Sequence, residues 1–266
     1  MTDPAEPLIG WVRAMAALQV LAADPAGLRG LWLRARAGPV RDQFLAVLAE
    51  ALPDASRIHP GAGDETLYGG LDLAATLSTG EAVSHRGLLT RPGTLILTMA
   101  ERCPPGLAAR LGAALDDGAH CLIALDEGAG PDEGLPAALT ERLGLFVDLG
   151  DVAVSGRVPM RVQRTDMRAT VPQVATDALT RVAAALGITS LRAPLLARAA
   201  AAALAAIDGR DTPDDDDLRR AAELTLAHRG YVPDAQDDQA PEPPPPPPDT
   251  PDPGDSDHQP GDELRL

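Results

Sequence analysis

Short apolar runs alternate with helical patterns through the first 150 residues of the chain. An apolar run at residues 30–35 precedes a segment, residues 40–52, in which apolar positions recur every three and four residues, the period of an amphipathic helix. Further apolar runs lie at residues 94–99, 121–125 and 145–149, and another helical pattern at 105–115. Strands that alternate with helices predict an α/β fold with a parallel sheet flanked by helices.

A different pattern begins near Val171. Three helical stretches follow at residues 172–187, 192–209 and 213–230, and each ends at a glycine that suits a helix C-cap. The third opens with Thr212, Pro213 and an acidic first turn, a favourable helix start. We therefore predict an α/β domain at residues 1–150, a connector at 151–170 and a small helical domain at 171–232.

The last part of the chain, residues 233–266, has the composition of a disordered segment. Its residues 234–266 hold ten acidic residues, ten prolines and one arginine, and so carry −9 of the formal net charge of −16. Such a segment buries too little apolar area to fold. The six prolines at 243–248 form either a stiff spacer or a ligand for a proline-binding groove.

Charge and composition narrow the classes of partner. A net charge of −16 argues against a nucleic-acid groove or an anionic membrane surface, because both attract positively charged proteins. No uncharged run approaches the roughly 20 residues that span a bilayer. Two cysteines without a CxxC motif and scattered histidines support neither a disulfide framework nor a zinc site. We expect a cytoplasmic protein that binds proteins or small ligands and no metal of its own.

An α/β sheet followed by a helical lid is the layout of an AAA+ ATPase, whose first strand leads into the phosphate-binding loop GxxxxGK[ST]. That loop cradles phosphates with backbone N–H groups, a lysine and a metal-binding hydroxyl. Here residues 34–42 read RARAGPVRD, and all 23 basic residues of the chain are arginine. Only Gly38 suits the cradle, and Pro39 lacks an N–H. Arg36 and Arg41 are either phosphate contacts or part of a solvated helix start.

Two further elements of ATP cleavage are also missing. Thr98 and Met99 stand where the second predicted strand requires metal-binding carboxylates, and Glu101 is either a surface helix cap or a displaced base. The next strand ends in Asp126 and Glu127 in place of a polar sensor, and acids there repel a γ-phosphate. The concerted loss predicts an AAA+-type domain that does not hydrolyse ATP.

Three segments resemble the D subunits of magnesium chelatase, the complex that inserts Mg²⁺ into protoporphyrin IX in chlorophyll and bacteriochlorophyll synthesis. They are LYGGLDLAATLSTGEAVSHRGLLTRPGTLIL at 67–97, PAALTERLGLFVDL at 136–149 and TSLRAPLLARAAAAALAAIDG at 189–209. The resemblance covers nearly all of residues 5–232. It implies an AAA+ domain with degenerate nucleotide motifs and no bound cofactor of its own.

The resemblance also implies partners. D subunits assemble with the ATP-hydrolysing I subunit in a homo- or hetero-oligomeric ring, expected to be hexameric. The complex uses ATP and Mg²⁺ to drive metal insertion by the porphyrin-binding H subunit. An acidic proline-rich linker joins their AAA+ domain to an integrin-I domain with a DxSxS motif. That domain is absent before Leu266, which indicates a fragment. The alternatives are a weakly active ATPase and a scaffold that acts through its acidic tail.

Two arginines match functional positions of the family. Arg142 stands before the last core strand, where an arginine finger reaches the ATP of a ring neighbour; the alternative is a surface arginine that caps a helix C-terminus. Arg192 matches the sensor-2 arginine that opens the second lid helix. It either bridges to a neighbouring subunit or forms a structural ion pair.

Overall fold

The computed structural model describes residues 6–128, 130, 133–152, 162 and 165–230, with side chains from residue 10 onward. These residues belong to one compact unit. The predicted acidic tail at 233–266 and most of the connector at 151–170 lie outside the described residues. No helix in the described ranges is long and apolar enough to cross a membrane.

The sheet confirms the predicted α/β architecture. The strands, in chain order, are β1 (Gly30–Arg34), β2 (Ser56–Ile58), β3 (Gly69–Leu71), β4 (Ser84–Arg86), β5 (Gly93–Leu97), β6 (His120–Asp126) and β7 (Leu145–Asp148). Five of them form a parallel sheet in the order β2-β5-β6-β1-β7, and β3 pairs with β4 in a separate antiparallel hairpin. All seven residues of β6 are buried, because a central parallel strand is covered on both faces.

Helices cover both faces of the parallel sheet. They are α1 (Glu6–Ala23), α2 (Pro25–Leu28), α3 (Pro39–Ala51), α4 (Asp64–Tyr68), α5 (Leu73–Thr79), α6 (Pro105–Asp116), α7 (Ala137–Thr140), α8 (Gln173–Ala185), α9 (Arg192–Ile207) and α10 (Asp215–Thr225). Short 3₁₀ turns lie at Leu88–Thr90 and Ala100–Arg102. Alternate residues of β6 divide the core in two: Ile123 faces α1, α3 and the last three helices, whereas Leu122 faces α4, α6 and α7.

The last three helices form the predicted helical domain, with α9 at its centre. Ten residues of α9 are buried, and most are alanines, whose small side chains allow close packing against α1, α8 and α10. Polar contacts add to this packing. Arg13 on α1 donates to the carbonyl oxygen of Glu223 at 2.7 Å, and Arg229 donates to the carbonyl oxygen of Leu143.

The observed helix ends confirm two predicted C-caps and correct both ends of the third helix. Gly187 and Gly209 adopt positive φ angles of 69° and 73° after the first two helices of this domain, as expected for C-cap glycines. The third helix ends at Thr225, before Gly230. Its N-cap is Asp214, whose side chain exchanges hydrogen bonds with Asp217 in a capping box. Thr212 and Pro213 therefore precede the cap.

Candidate functional site

The position of the missing phosphate loop is an open cavity of about 690 Å³ at the carboxyl edge of the sheet. It lies between the end of β1 and the start of α3, and the segment after β7 forms its other wall. Helix α3 begins with Pro39 after an N-cap glycine, Gly38, that offers no side-chain hydrogen bond. The proline removes one of the N–H groups that a phosphate cradle requires.

Two arginines of this cavity are already bound to groups of the same chain. Arg34 lies 3.8 Å from the carboxylate of Asp126 and donates to the carbonyl oxygens of Gly130 and Glu133 at 3.3 and 3.1 Å. Arg41 pairs with Glu127. Internal carboxylates therefore neutralise two of the positive charges that a triphosphate would need. Arg36, which also lines the cavity, has an exposed side chain.

Asp126 is fully buried and acts as a structural strut at this edge. It accepts a hydrogen bond from the indole N–H of Trp32 at 2.8 Å and another from the backbone N–H of Gly128 at 2.8 Å. Together with Arg34, these donors satisfy a carboxylate that would otherwise be costly to bury. The acid in the sensor position thus holds β6 to β1.

Glu101 corrects an expectation from the sequence. Its side chain is only 8% exposed, so the interpretation as a surface helix cap is wrong. The carboxylate accepts a hydrogen bond from the backbone N–H of Glu127 at 3.1 Å and pairs with Arg102 at 3.6 Å. Glu101 therefore supports the end of β6.

A row of rings connects this edge to the helical domain. The rings of Trp32 and Phe146 lie 4.6 Å apart between centroids, and Phe146 lies 5.3 Å from the ring of His228. Burial, together with the positive charges of Arg229 and Arg13, lowers the pKa of His228 to about 3. The neutral imidazole therefore packs as an apolar ring.

Replacing His228 by phenylalanine is expected to reduce the acid sensitivity of folding. Between pH 6.5, the ordinary pKa, and about 3, the unfolded chain binds a proton that the folded chain does not, so stability falls as the pH falls through this window. The slope of about 1.4 kcal/mol per pH unit amounts to roughly 2 kcal/mol between pH 6.5 and 5. Urea unfolding of both proteins at pH 7 and 5 measures it; equal losses would contradict the prediction.

Arg142 and Arg192 meet at the opposite, amino edge of the sheet, where both contact Asp116. Arg142 donates to one carboxylate oxygen of Asp116 through Nε at 3.0 Å and Nη2 at 2.6 Å. Arg192 Nη2 lies 3.3 and 3.4 Å from the two oxygens. The hydrogen bonds from Arg142 are the largest cause that holds the pKa of Asp116 below its ordinary value. The cluster therefore consists of two cations around one anion.

Local structure fixes Arg142 more firmly than Arg192. The Nη1 of Arg142 donates to the carbonyl oxygen of Ala138 in α7 at 2.8 Å, and its side chain lies across α6 at Gly112. A Cβ at Gly112 would sit 3.3 Å from Arg142 Nε, which explains a glycine inside a helix despite its low helix propensity. The side chain of Arg142 is 21% exposed and that of Arg192 is 49% exposed.

The two edges are far apart. Arg142 precedes β7, and Asp116 precedes β6; the cavity lies beyond the other end of the same parallel strands. Seven residues of β6 at about 3.3 Å each span roughly 20 Å. The structure therefore brings the two candidate arginines together with one another and keeps them away from the cavity of their own chain.

The sequence analysis did not single out Asp116 as a site residue, although one feature of the sequence indicated it. It is the last residue of α6, where the helix dipole disfavours an acid. An acid at such a position needs a cationic partner, and Arg142 and Arg192 provide two.

The chain is similar to known proteins both in its lid and over most of its length. Residues 176–249 match the AAA lid domain family. The magnesium-chelatase 60 kDa subunits of Cereibacter sphaeroides and Rhodobacter capsulatus are 54% and 50% identical over 84% and 82% of the chain. A 67 kDa subunit from Chlorobaculum tepidum is 24% identical over 84% of the chain. The chain spans only 41%, 40% and 43% of these three relatives.

The fold has a solved counterpart. The crystal structure of a candidate ATPase from Cytophaga hutchinsonii superposes with a TM-score of 0.60, covering 85% of this chain and 87% of that one at 13% identity. At this identity the likeness concerns the fold alone. Over the part that it shares with its relatives, the chain is similar to the magnesium-chelatase 60 kDa subunits, and it has an AAA+ fold, a parallel α/β domain followed by a helical lid.

Proposed function

We propose that this chain is the AAA+ part of a magnesium chelatase subunit that does not hydrolyse ATP and acts on the ATP site of a neighbouring subunit. The observation that carries the proposal is the contrast between the two edges of the sheet. At the carboxyl edge, Arg34 and Arg41 are neutralised by Asp126 and Glu127. At the amino edge, Arg142 and Arg192 share the single carboxylate of Asp116, two cations around one anion.

Arginine suits a role on a neighbour's nucleotide. Its guanidinium group is always charged, and its planar fork matches the oxygens of a phosphate. An arginine supplied from outside a nucleotide site stabilises the charge that develops during phosphoryl transfer. Arg142 is proposed as the finger, and Arg192, at the first turn of α9, as the sensor-2 contact.

The proposed partners follow from the relatives, which are subunits of magnesium chelatase. The ATP-hydrolysing I subunit is the neighbour that receives Arg142, in a ring that we propose to be hexameric. The porphyrin-binding H subunit inserts Mg²⁺ into protoporphyrin IX when ATP is hydrolysed. In this proposal residues 1–150 and 171–232 form the α/β and lid domains in the cytoplasm, and residues 233–266 link them to the rest of the subunit.

The direct test is the nucleotide chemistry of the chain alone. Isothermal titration with MgATP, combined with a phosphate-release assay, is expected to show no turnover, because the loop lacks the lysine and the hydroxyl, and Thr98 and Met99 replace the metal-binding carboxylates. The I subunit in the same assay is the positive control. Turnover by the isolated chain would overturn the proposal in favour of a weakly active ATPase.

A deletion separates the proposal from a scaffold role of the tail. Removing residues 234–266 is expected to leave the complex with the I subunit intact, because the proposed contacts lie on the folded part of the chain. Loss of the complex on size-exclusion chromatography would favour the scaffold.

A further inference from the structure

We propose that Asp116 is an internal competitor for phosphate: it occupies the place between Arg142 and Arg192 that a phosphate group of the neighbour's nucleotide takes, and holds both arginines until that phosphate replaces it. This inference rests on the proposed function, in which the two arginines face a neighbour's nucleotide. It adds a third residue, which regulates when they are available.

The geometry of the cluster is that of a filled anion site. Both guanidinium groups converge on one carboxylate, with four nitrogen–oxygen distances between 2.6 and 3.4 Å. The arginine fork binds carboxylate and phosphate oxygens with the same hydrogen-bond pattern. A group with more negative charge than one carboxylate interacts more strongly with the same two cations. Phosphate therefore competes favourably for this place.

Exposure makes the exchange feasible. The side chain of Asp116 is 41% exposed, and that of Arg192 is 49% exposed, so water screens their contact and the pair contributes little to folding. Arg142 keeps its hydrogen bond to the carbonyl oxygen of Ala138 when Asp116 leaves. Arg142 thus keeps its position in the site, whereas Arg192 is free to move.

The cluster also joins two domains. Asp116 ends α6 in the α/β domain, whereas Arg192 begins α9 in the lid. Exchange of Asp116 for a phosphate from outside replaces a contact within the chain by a contact between subunits. The occupancy of the neighbour's site is thereby coupled to the first turn of the lid helix.

The test measures binding of inorganic triphosphate to this chain by isothermal titration at fixed ionic strength. Asp116→Asn and Asp116→Ala are expected to bind at least about tenfold more tightly than the unchanged chain, since the internal anion is gone. A second change, Arg142→Ala, is expected to abolish this gain. A structural role of Asp116 would produce no gain in affinity.

The matched control is Asp216→Asn. It removes an equal charge from an exposed pair with Arg219 on α10, away from the cluster, and is expected to leave triphosphate affinity unchanged. If the Asp116 variants bind no more tightly than Asp216→Asn, the competitor role is wrong. The assay measures triphosphate binding without a partner subunit, so this failure is distinct from failure of the proposed function, which is measured by ATP turnover of the chain alone and of the mixed complex.

Discussion

Replacing Arg142 by alanine is expected to lower the ATPase rate of the complex with the I subunit by on the order of a thousandfold, the lower end of the effect of an arginine finger. The guanidinium group acts on charge that develops in the transition state, so the loss should appear mainly in kcat. Steady-state ATPase assays of the mixed complex, run with the chelatase reaction in parallel, measure it.

The variant needs controls for assembly and for charge. Arg110→Ala removes an arginine from α6, the helix that Arg142 packs against at Gly112. Arg110 pairs with Asp64 and donates to the carbonyl oxygen of Gly106, and its removal should leave the rate within about twofold, as for most surface changes. Arg142→Lys keeps the charge but loses the fork, so most of the rate should still be lost. An unchanged rate for Arg142→Ala in an intact complex would exclude the finger role.

Replacing Asp126 by alanine is expected to destabilise the fold by about 3 kcal/mol, because two partly buried donors lose their acceptor and each unsatisfied group costs about 1–3 kcal/mol. The donors are the indole N–H of Trp32 and the backbone N–H of Gly128. For a protein of this size the change corresponds to a melting temperature lower by roughly 10 °C. Thermal and urea unfolding followed by circular dichroism measure both quantities.

Glu127, the next residue, provides the control for the destabilisation by Asp126→Ala. Glu127 carries the same charge, but its side chain is 38% exposed, so Glu127→Ala is expected to cost less than about 1 kcal/mol. Asp126→Asn keeps the shape and one acceptor oxygen and should fall between the two alanine variants. Equal effects of Asp126→Ala and Glu127→Ala would show that Asp126 is no strut.

Hydrophobic periodicity predicted the elements that build the core. Strands β1, β5, β6 and β7 and the three lid helices each bury an apolar face, and such faces are legible in the sequence. The short strand β2 was missed because its three residues, Ser56–Ile58, include a single buried side chain. The β3–β4 hairpin was missed because β4 is entirely exposed and so has no apolar alternation.

The identities of most site residues could be predicted from the sequence, but their contacts with one another could not. The missing lysine and hydroxyl of the loop are plain in the sequence, and Arg142 and Arg192 follow from resemblance; their roles stay predictions. The pairing of these arginines through Asp116 was not accessible, because 26 residues separate Asp116 from Arg142 and 76 separate it from Arg192. The same holds for Trp32 and Asp126, 94 residues apart. Only the fold brings such residues together.

The strut at Asp126 has an evolutionary consequence. A descendant that gained a lysine and a hydroxyl in the loop would still carry the buried acid at the sensor position. Exchanging that acid for a neutral residue would leave at least one of the two donors, Trp32 and Gly128, without its acceptor. Several changes would have to occur together, and each alone is harmful or without benefit. In the proposed function, the stability of the fold therefore opposes the acquisition of ATP hydrolysis by this chain and keeps the chain dependent on a neighbouring subunit.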